Sequence, residues 1–182
     1  VTARIIDGKA IAAQIQKELQ GEVAFFTDHN VQPCLAVVLV GDNPASKVYV
    51  QKKREACEAV GIASKLITDI NNQYDLMDEL EILARSKNVH GVLIQLPLPK
   101  DEWGEDYRLH EVFDNIPPLK DVDVFHPENV GLLVQGRPRF LPCTPHGIQI
   151  MLARSGIQVK GKHVVVINRS NIVGKPLSSM LS

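Results

Sequence analysis

A chain of 182 residues with 45% apolar side chains has material for one packed domain, or one and a fraction, and its net charge of −1 gives no electrostatic footprint for nucleic acid or an acidic membrane. Aromatic residues are only 5% of the chain, too few for base-stacking platforms. The three cysteines are far apart and lack Cys-x-x-Cys spacing, the six histidines show no metal-ligand spacing, and the longest aliphatic run is far too short to span a bilayer. A reducing, cytoplasmic setting is therefore expected, with no metal and no membrane partner. No signal or transit segment is evident in the sequence, which starts at Val1.

Asp7 reads as the N-cap of a helix over 8–26, with Ile11, Ile15, Leu19 and Val23 on one stripe. The continuous aliphatic run 35–40 suits a parallel strand covered on both faces. Gly41, Asn43 and Pro44 make a turn, and a helix follows as far as Gly61, with Ser46 as its N-cap or in its first turn. A second strand is expected over 62–70, a helix over 74–86 with Leu76, Leu80 and Leu83 inward, and a third strand over 89–96 stopped by Pro97 and Pro99. A weaker helix covers 105–113. From 117 to 145 prolines, glycines and charges dominate without any sustained period, and so long a loop in a compact domain is more often functional than idle. A helix then starts at Thr144 or Pro145 and ends at Gly156, a Val-rich strand follows over 162–167, and a last helix over 174–181.

This alternation predicts an α/β fold with a parallel sheet and right-handed crossovers. One strand and one helix cannot cover both faces of a sheet, so residues 145–182 read as the truncated start of a second α/β domain behind a first domain of residues 1–144. The chain itself reads as a fragment, or as the ordered part of something longer.

Ser46, Tyr49 and Lys53 fall within about 60° of arc on one helix face, at about 100° per residue. A hydroxyl, a phenol and an amine thus leave a βα junction in one direction, and ligands of α/β proteins gather at the carboxyl ends of strands. A plain solvated helix face has the same spacing. Gln95, at the carboxyl end of the third strand, can bond a ligand or Lys53, or simply satisfy loop backbone. Asp121 and Asp123 alternate along an extended segment and face opposite sides. They are either a solvated acidic loop or a ligand contact, and no further ligand nearby makes a metal site of them. Residues 168–174 lie between the Val-rich strand and a helix, where a dinucleotide phosphate would meet a helix N-terminus, but lack Gly-x-Gly-x-x-Gly.

In order, the stretch 41–53, Gly91-Val-Leu-Ile-Gln-Leu-Pro-Leu-Pro99, Lys120-Asp-Val-Asp123, Pro142-Cys-Thr-Pro145 and Arg169-Ser-Asn-Ile-Val-Gly174 resemble the methylenetetrahydrofolate dehydrogenase/cyclohydrolase family along essentially the whole chain. The resemblance implies an N-terminal folate-binding catalytic domain, the start of a Rossmann-like NAD(P)-binding domain, and an active site in the cleft between them. It implies oxidation of 5,10-methylenetetrahydrofolate with NADP and hydrolysis of the methenyl product to 10-formyltetrahydrofolate, a step of one-carbon metabolism that feeds purine biosynthesis. Family members usually continue for roughly another hundred residues, about one small domain, and a homodimer is expected of the full-length form.

By the same resemblance Lys53 is the catalytic amine and Gln95 lies beside it and holds it in place. Tyr49 packs its ring on the folate near the reacting carbon, and Ser46 orients that ring or a water. Pro97 shapes the same wall, where a cis peptide is allowed. Asp123 hydrogen-bonds the pterin ring. Tyr49, Lys53, Gln95 and Asp123 are expected to line one pocket. The family has glycine after this aspartate; Val124 stands there instead and is expected to shift the local backbone, since valine disfavours positive φ. The family's nucleotide loop is Gly-x-Ser-x-x-x-Gly. Here Asn168 replaces the first glycine, and asparagine tolerates left-handed backbone. Asn168, Arg169, Ser170 and Gly174 are the cofactor-binding candidates. Arg169 can grip a 2′-phosphate, which favours NADP, with NAD the other option. Two further readings stay open: an NAD-dependent monofunctional dehydrogenase, against which Lys53 speaks, and a non-catalytic folate-binding fragment.

Overall fold

The structure, a computed structural model, describes residues 3–99 and 109–182. It divides into two units, one formed by Gln16–Asp121 and the other by Val1–Ile15 with Val122–Ser182. Helix α1 (Gly8–Asp28) starts in the second and runs into the first.

The first unit is built on a parallel sheet of β1 (Cys34–Val38), β2 (Ala63–Ile67) and β3 (Gly91–Ile94) in the order β2-β1-β3. Val38 pairs with Ile67 on one side and Ile94 on the other. Helix α2 (Pro44–Val60) connects β1 to β2, and α3 (Gln73–Arg85) connects β2 to β3. Because side chains alternate along a strand, Ala36, Val38 and Val40 share one face. They pack there with Leu76, Leu80 and Leu83 of α3 and with Val92 and Ile94 of β3, and Val112 of α4 (Leu109–Asp114) joins the same core. Val37 and Leu39 are buried on the other face, and α2 buries Val50, Cys57 and Val60. Two-sided burial is why β1 reads as a continuous aliphatic run.

The helix ends follow local chemistry. The N-cap of α2 is Asn43, whose side chain accepts from the amides of Ala45 and Ser46, with Pro44 at the first helical position. Ser46 therefore sits in the first turn and is not the cap. Gly61 closes the helix in the left-handed region at φ 84°. Asn72 caps α3, and Asp75 reaches back to accept from the Asn71 amide at 3.0 Å. That backbone hydrogen bond holds the Asp75 carboxyl below its ordinary range.

The other end of α3 carries a device that the sequence did not announce. Lys120 Nζ donates to the carbonyls of Leu83, Ala84 and Ser86 at 2.9, 3.0 and 2.6 Å. Those carbonyls belong to the helix's last turn and the residue after it, where orphan acceptors and the negative dipole end both call for a cation. Partial withdrawal from water pulls the ammonium below the usual lysine range. The Lys120 carbonyl accepts from Val92 N at 2.7 Å, and Asp121 forms a parallel bridge with Val92. Asp121 is 1% exposed, so it lies against the sheet and not on a solvated loop.

In the second unit the 117–145 stretch is not irregular throughout. It contains α5 (Pro127–Val134), with His126 Nδ1 accepting from Glu128 N and proline at the helix start. Arg139 returns to this helix, bonding Asn129 and Glu128 at 2.6 Å each. Helices α6 (Cys143–Arg154) and α7 (Gly174–Met180) follow, joined by Gln149 Nε2 donating to the Met180 carbonyl at 2.8 Å. The strand expected over 162–167 is absent. That segment is irregular, with Val165 72% and Ile167 96% exposed. A strand needs a neighbour to take its amides and carbonyls, and none pairs with it among the described residues. Of the helix expected over 105–113, residues 105–108 lie outside the described residues.

Candidate active site

The strand order β2-β1-β3 reverses direction at β1, so the carboxyl ends of β1 and β3 flank a switch point, the usual location of a ligand crevice in such sheets. The loops leaving those two strands touch. Gly41, at φ 73°, lies so close to Pro99 that an added Cβ would sit 2.9 Å from its Cγ. Both its dihedral and this approach require glycine.

From this junction α2 presents the three residues that share one face. Ser46 is 2% exposed, and its hydroxyl has no hydrogen-bond partner among the described residues. A buried, unsatisfied hydroxyl costs about 1–3 kcal/mol, which marks it as a place for a water or a ligand atom. Tyr49 is 60% exposed and leaves its ring open. Lys53 Nζ donates to Gln95 Oε1 at 3.0 Å. Gln95 is itself fixed twice: its backbone N–H donates to Val38 O at 2.9 Å and its Nε2 to Leu96 O at 2.8 Å. With Nε2 committed, the carboxamide presents only its oxygen to the lysine. The peptide bond between Leu96 and Pro97 is cis. Lys53 makes no ion pair among the described residues, so its charge is met by a neutral partner.

Lys53 and Gln95 are thus brought together from positions 42 residues apart, with Tyr49 one turn before Lys53 on α2. Asp123 belongs to the other unit. Beside it Val124 keeps φ at 62° while 5% exposed. The valine is held in a left-handed conformation that glycine would adopt freely. Cys143 Sγ lies 3.8 Å from the Val122 carbonyl, which joins the Pro142–Pro145 motif to the Lys120–Asp123 motif.

The 168–174 loop closes on itself. Ser170 N donates to Asn168 Oδ1 at 2.9 Å, and Ser170 Oγ accepts from Val173 N and Gly174 N at 3.1 and 3.4 Å. A Cβ on Gly174 would overlap the Asn168 carbonyl, so the loop approaches its helix more closely than any other residue allows. Asn168 is not among the residues with positive φ, and its tolerance of left-handed backbone goes unused. Arg169 is exposed and without a side-chain partner among the described residues. A free guanidinium beside a glycine-tight turn fits a nucleotide phosphate.

Among the described residues no group of acidic, His or Cys side chains could hold a metal, and no helix is long and apolar enough to cross a membrane. The functional-looking residue that sequence reasoning passed over is Lys120, whose only signal was its place at the head of a recognised motif.

Two family models match the chain: the catalytic domain of tetrahydrofolate dehydrogenase/cyclohydrolase over residues 6–123, and the NAD(P)-binding domain of the same enzymes over residues 142–182. Among curated relatives, the bifunctional protein FolD of Rhodopirellula baltica is 51% identical over 97% of the chain and 60% of its own length. That of Geotalea uraniireducens is 52% identical over 98% of the chain and 62% of its own length. The bifunctional FolD structure from Campylobacter jejuni superposes with a TM-score of 0.91 at 42% identity, over 98% of this chain and 62% of that one. The Trypanosoma brucei dehydrogenase-cyclohydrolase, solved with NADP cofactor and inhibitor, gives 0.87 at 34% identity, over 98% and 61%. The chain spans about 60% of the length of the curated relatives it matches.

Proposed function

The chain belongs to the tetrahydrofolate dehydrogenase/cyclohydrolase family, and from that premise we propose that it interconverts one-carbon tetrahydrofolates: NADP-dependent oxidation of 5,10-methylenetetrahydrofolate and hydrolysis of the methenyl product to 10-formyltetrahydrofolate. The observation that carries this reading is the 3.0 Å hydrogen bond between Lys53 and Gln95 at the switch point of the sheet.

In the hydrolytic step a water adds to the carbon of a cationic amidine, and a proton must leave that water. Lys53 is the basic side chain held at this junction, and a neutral carboxamide orients it without supplying a counter-charge. Ser46 offers a buried hydroxyl with no partner among the described residues, suited to holding the water or a substrate atom. The exposed ring of Tyr49 offers a flat face to a conjugated heterocycle. Pro97 shapes the wall after Gln95. Asp123 supplies a carboxylate to the amino and ring N–H groups of a pterin.

NADP, when bound, supplies the acceptor for the hydride. Arg169, Ser170 and Gly174, with Asn168, are the residues here that would hold it, and the chain's task in that step is positioning. We assign folate binding and catalysis to residues 1–144 and nucleotide binding to residues 145–182. The protein would act as a cytoplasmic homodimer on a small-molecule substrate.

The test is an absorbance assay of methenyltetrahydrofolate hydrolysis with wild type and Lys53→Met, alongside methylenetetrahydrofolate oxidation run separately with NADP and NAD. Hydrolysis should fall at least about 100-fold, as for a lost acid–base group. Equal hydrolysis rates in the two proteins would remove Lys53 from the mechanism.

A further inference from the structure

We propose that Asn168 limits the affinity of the nucleotide loop by acting as an internal occupant: its side-chain oxygen takes the Ser170 amide that a cofactor phosphate would otherwise receive. The inference rests on the nucleotide reading of residues 168–174 given above, and deepens it.

Four observations support it. The Ser170 N–H donates to Asn168 Oδ1 at 2.9 Å, so that donor is spoken for inside the loop. Asn168 is not in the left-handed region, so an asparagine is not needed there for its backbone tolerance. Gly174 packs against the Asn168 backbone, and a Cβ at 174 would lie 2.7 Å from Oδ1, which puts the carboxamide oxygen against the inner side of the turn. Finally, the neighbouring donors are also engaged: Val173 N and Gly174 N go to Ser170 Oγ, and Lys175 N goes to Ser170 O. What the loop offers an incoming anion is chiefly the guanidinium of Arg169, a side-chain charge and not a backbone cradle.

An anion bound here must either forgo the Ser170 amide or displace a neutral carboxamide from it. A neutral oxygen is a weaker acceptor than a phosphate oxygen, so displacement is feasible but carries a penalty. Removing the carboxamide removes the penalty. Replacing it with a carboxylate adds a repulsive charge in its place.

The experiment uses the isotope-labelled chain with Asn168→Ala, Asn168→Gly and Asn168→Asp, titrated with NADP and followed by amide spectra. Asn168 is exposed, and the amide spectra themselves report whether each variant is folded. In the wild type the Ser170 amide should exchange more slowly than those of Arg169 and Asn171, which have no partner among the described residues. In Asn168→Ala and Asn168→Gly that protection should vanish and the Kd for NADP should fall about tenfold, the value of one charge-assisted hydrogen bond. The alanine variant separates release of the donor from glycine flexibility. Asn168→Asp should keep the protection and weaken NADP. Unchanged Ser170 exchange in Asn168→Ala, or a freed amide with an unchanged Kd, overturns the inference while leaving nucleotide binding intact. No response to NADP from any of the four proteins overturns the nucleotide reading itself, and the inference with it.

Discussion

Lys120→Met tests whether the clamp on α3 holds this fold together. Methionine keeps most of the apolar stem and deletes the ammonium, leaving the carbonyls of Leu83, Ala84 and Ser86 without the donor that now lies 2.6–3.0 Å away. A hydrogen bond to a charged group is worth about 1.5–3 kcal/mol, and bonds that share one ammonium do not add in full. Against them stands the desolvation that pulls Lys120 below the ordinary lysine range. A net loss of about 2 kcal/mol at neutral pH is expected, which for a chain of this size is a fall of about 4–8 °C in Tm. The pH dependence has a definite sign. Because the folded-state value is the lower one, the folded chain gives up its proton first as pH rises, and the unfolded chain then holds more protons. Wild-type stability should therefore rise with pH in the window below about 10.4, where the unfolded lysine titrates, and Lys120→Met should lack that rise. Thermal melts of both proteins at pH 7 and across the alkaline range decide it. A loss below about 0.5 kcal/mol at pH 7 would refute the clamp. Parallel alkaline slopes would refute the desolvated ammonium.

Three further outcomes are expected. Val124→Gly should be at least as stable as Val124→Ala in paired urea melts, because left-handed backbone costs an L-residue about 1–2 kcal/mol and so outweighs the usual glycine penalty of about 0.5–1 kcal/mol; an alanine variant ahead by that penalty would mean that φ is not left-handed. Gly174→Ala should lower stability by at least about 1–3 kcal/mol, since its Cβ overlaps backbone of Asn168 that has nowhere flexible to go, and an unchanged Tm would refute so close an approach. Native alkylation followed by mass spectrometry should modify exposed Cys143 first and Cys57 last, as burial, with a smaller contribution from Cys34, raises the Cys57 thiol; early loss of the Cys57 thiol would contradict its packing.

The legible parts of this fold are those where one residue type answers one local demand. The aliphatic run through β1, the Leu76–Leu80–Leu83 stripe and Gly61 at the end of α2 each meet a single requirement, and each was readable from spacing. The Lys53–Gln95 pair was one of several options from position alone, and a family resemblance was needed to choose it, because periodicity cannot connect the two positions. Two failures have other causes. Helix α5 is short, and its start is marked by a histidine cap, a rare signal beside serine or asparagine. The 162–167 run has every local mark of a strand, but strand formation is a property of a pair. Local propensity can supply one partner and not the other.

The Lys120-Asp-Val-Asp123 motif shows how a recognised string of residues divides its labour. Its first residue closes a helix, its carbonyl joins β3, and Asp121 is buried along that edge. Each of these three interactions is internal to the sheet unit and none needs a ligand. The unit ends at Asp121, and the residue proposed to meet the pterin, Asp123, comes two positions later with a strained Val124 after it. Half of the motif's specificity as a family signature is thus a folding constraint. Its match to a family model speaks for the fold through Lys120 and Asp121, and for the chemistry only through Asp123. A substitution at Lys120 should therefore register in stability, and one at Asp123 in substrate affinity. Asp123→Asn keeps the side chain's size and its hydrogen-bonding oxygen but drops the charge. It should raise the KM for folate at least about tenfold, since a charge-assisted bond to the substrate is lost. Equal KM values for the two proteins would withdraw Asp123 from the folate site and leave the motif as a structural signature alone.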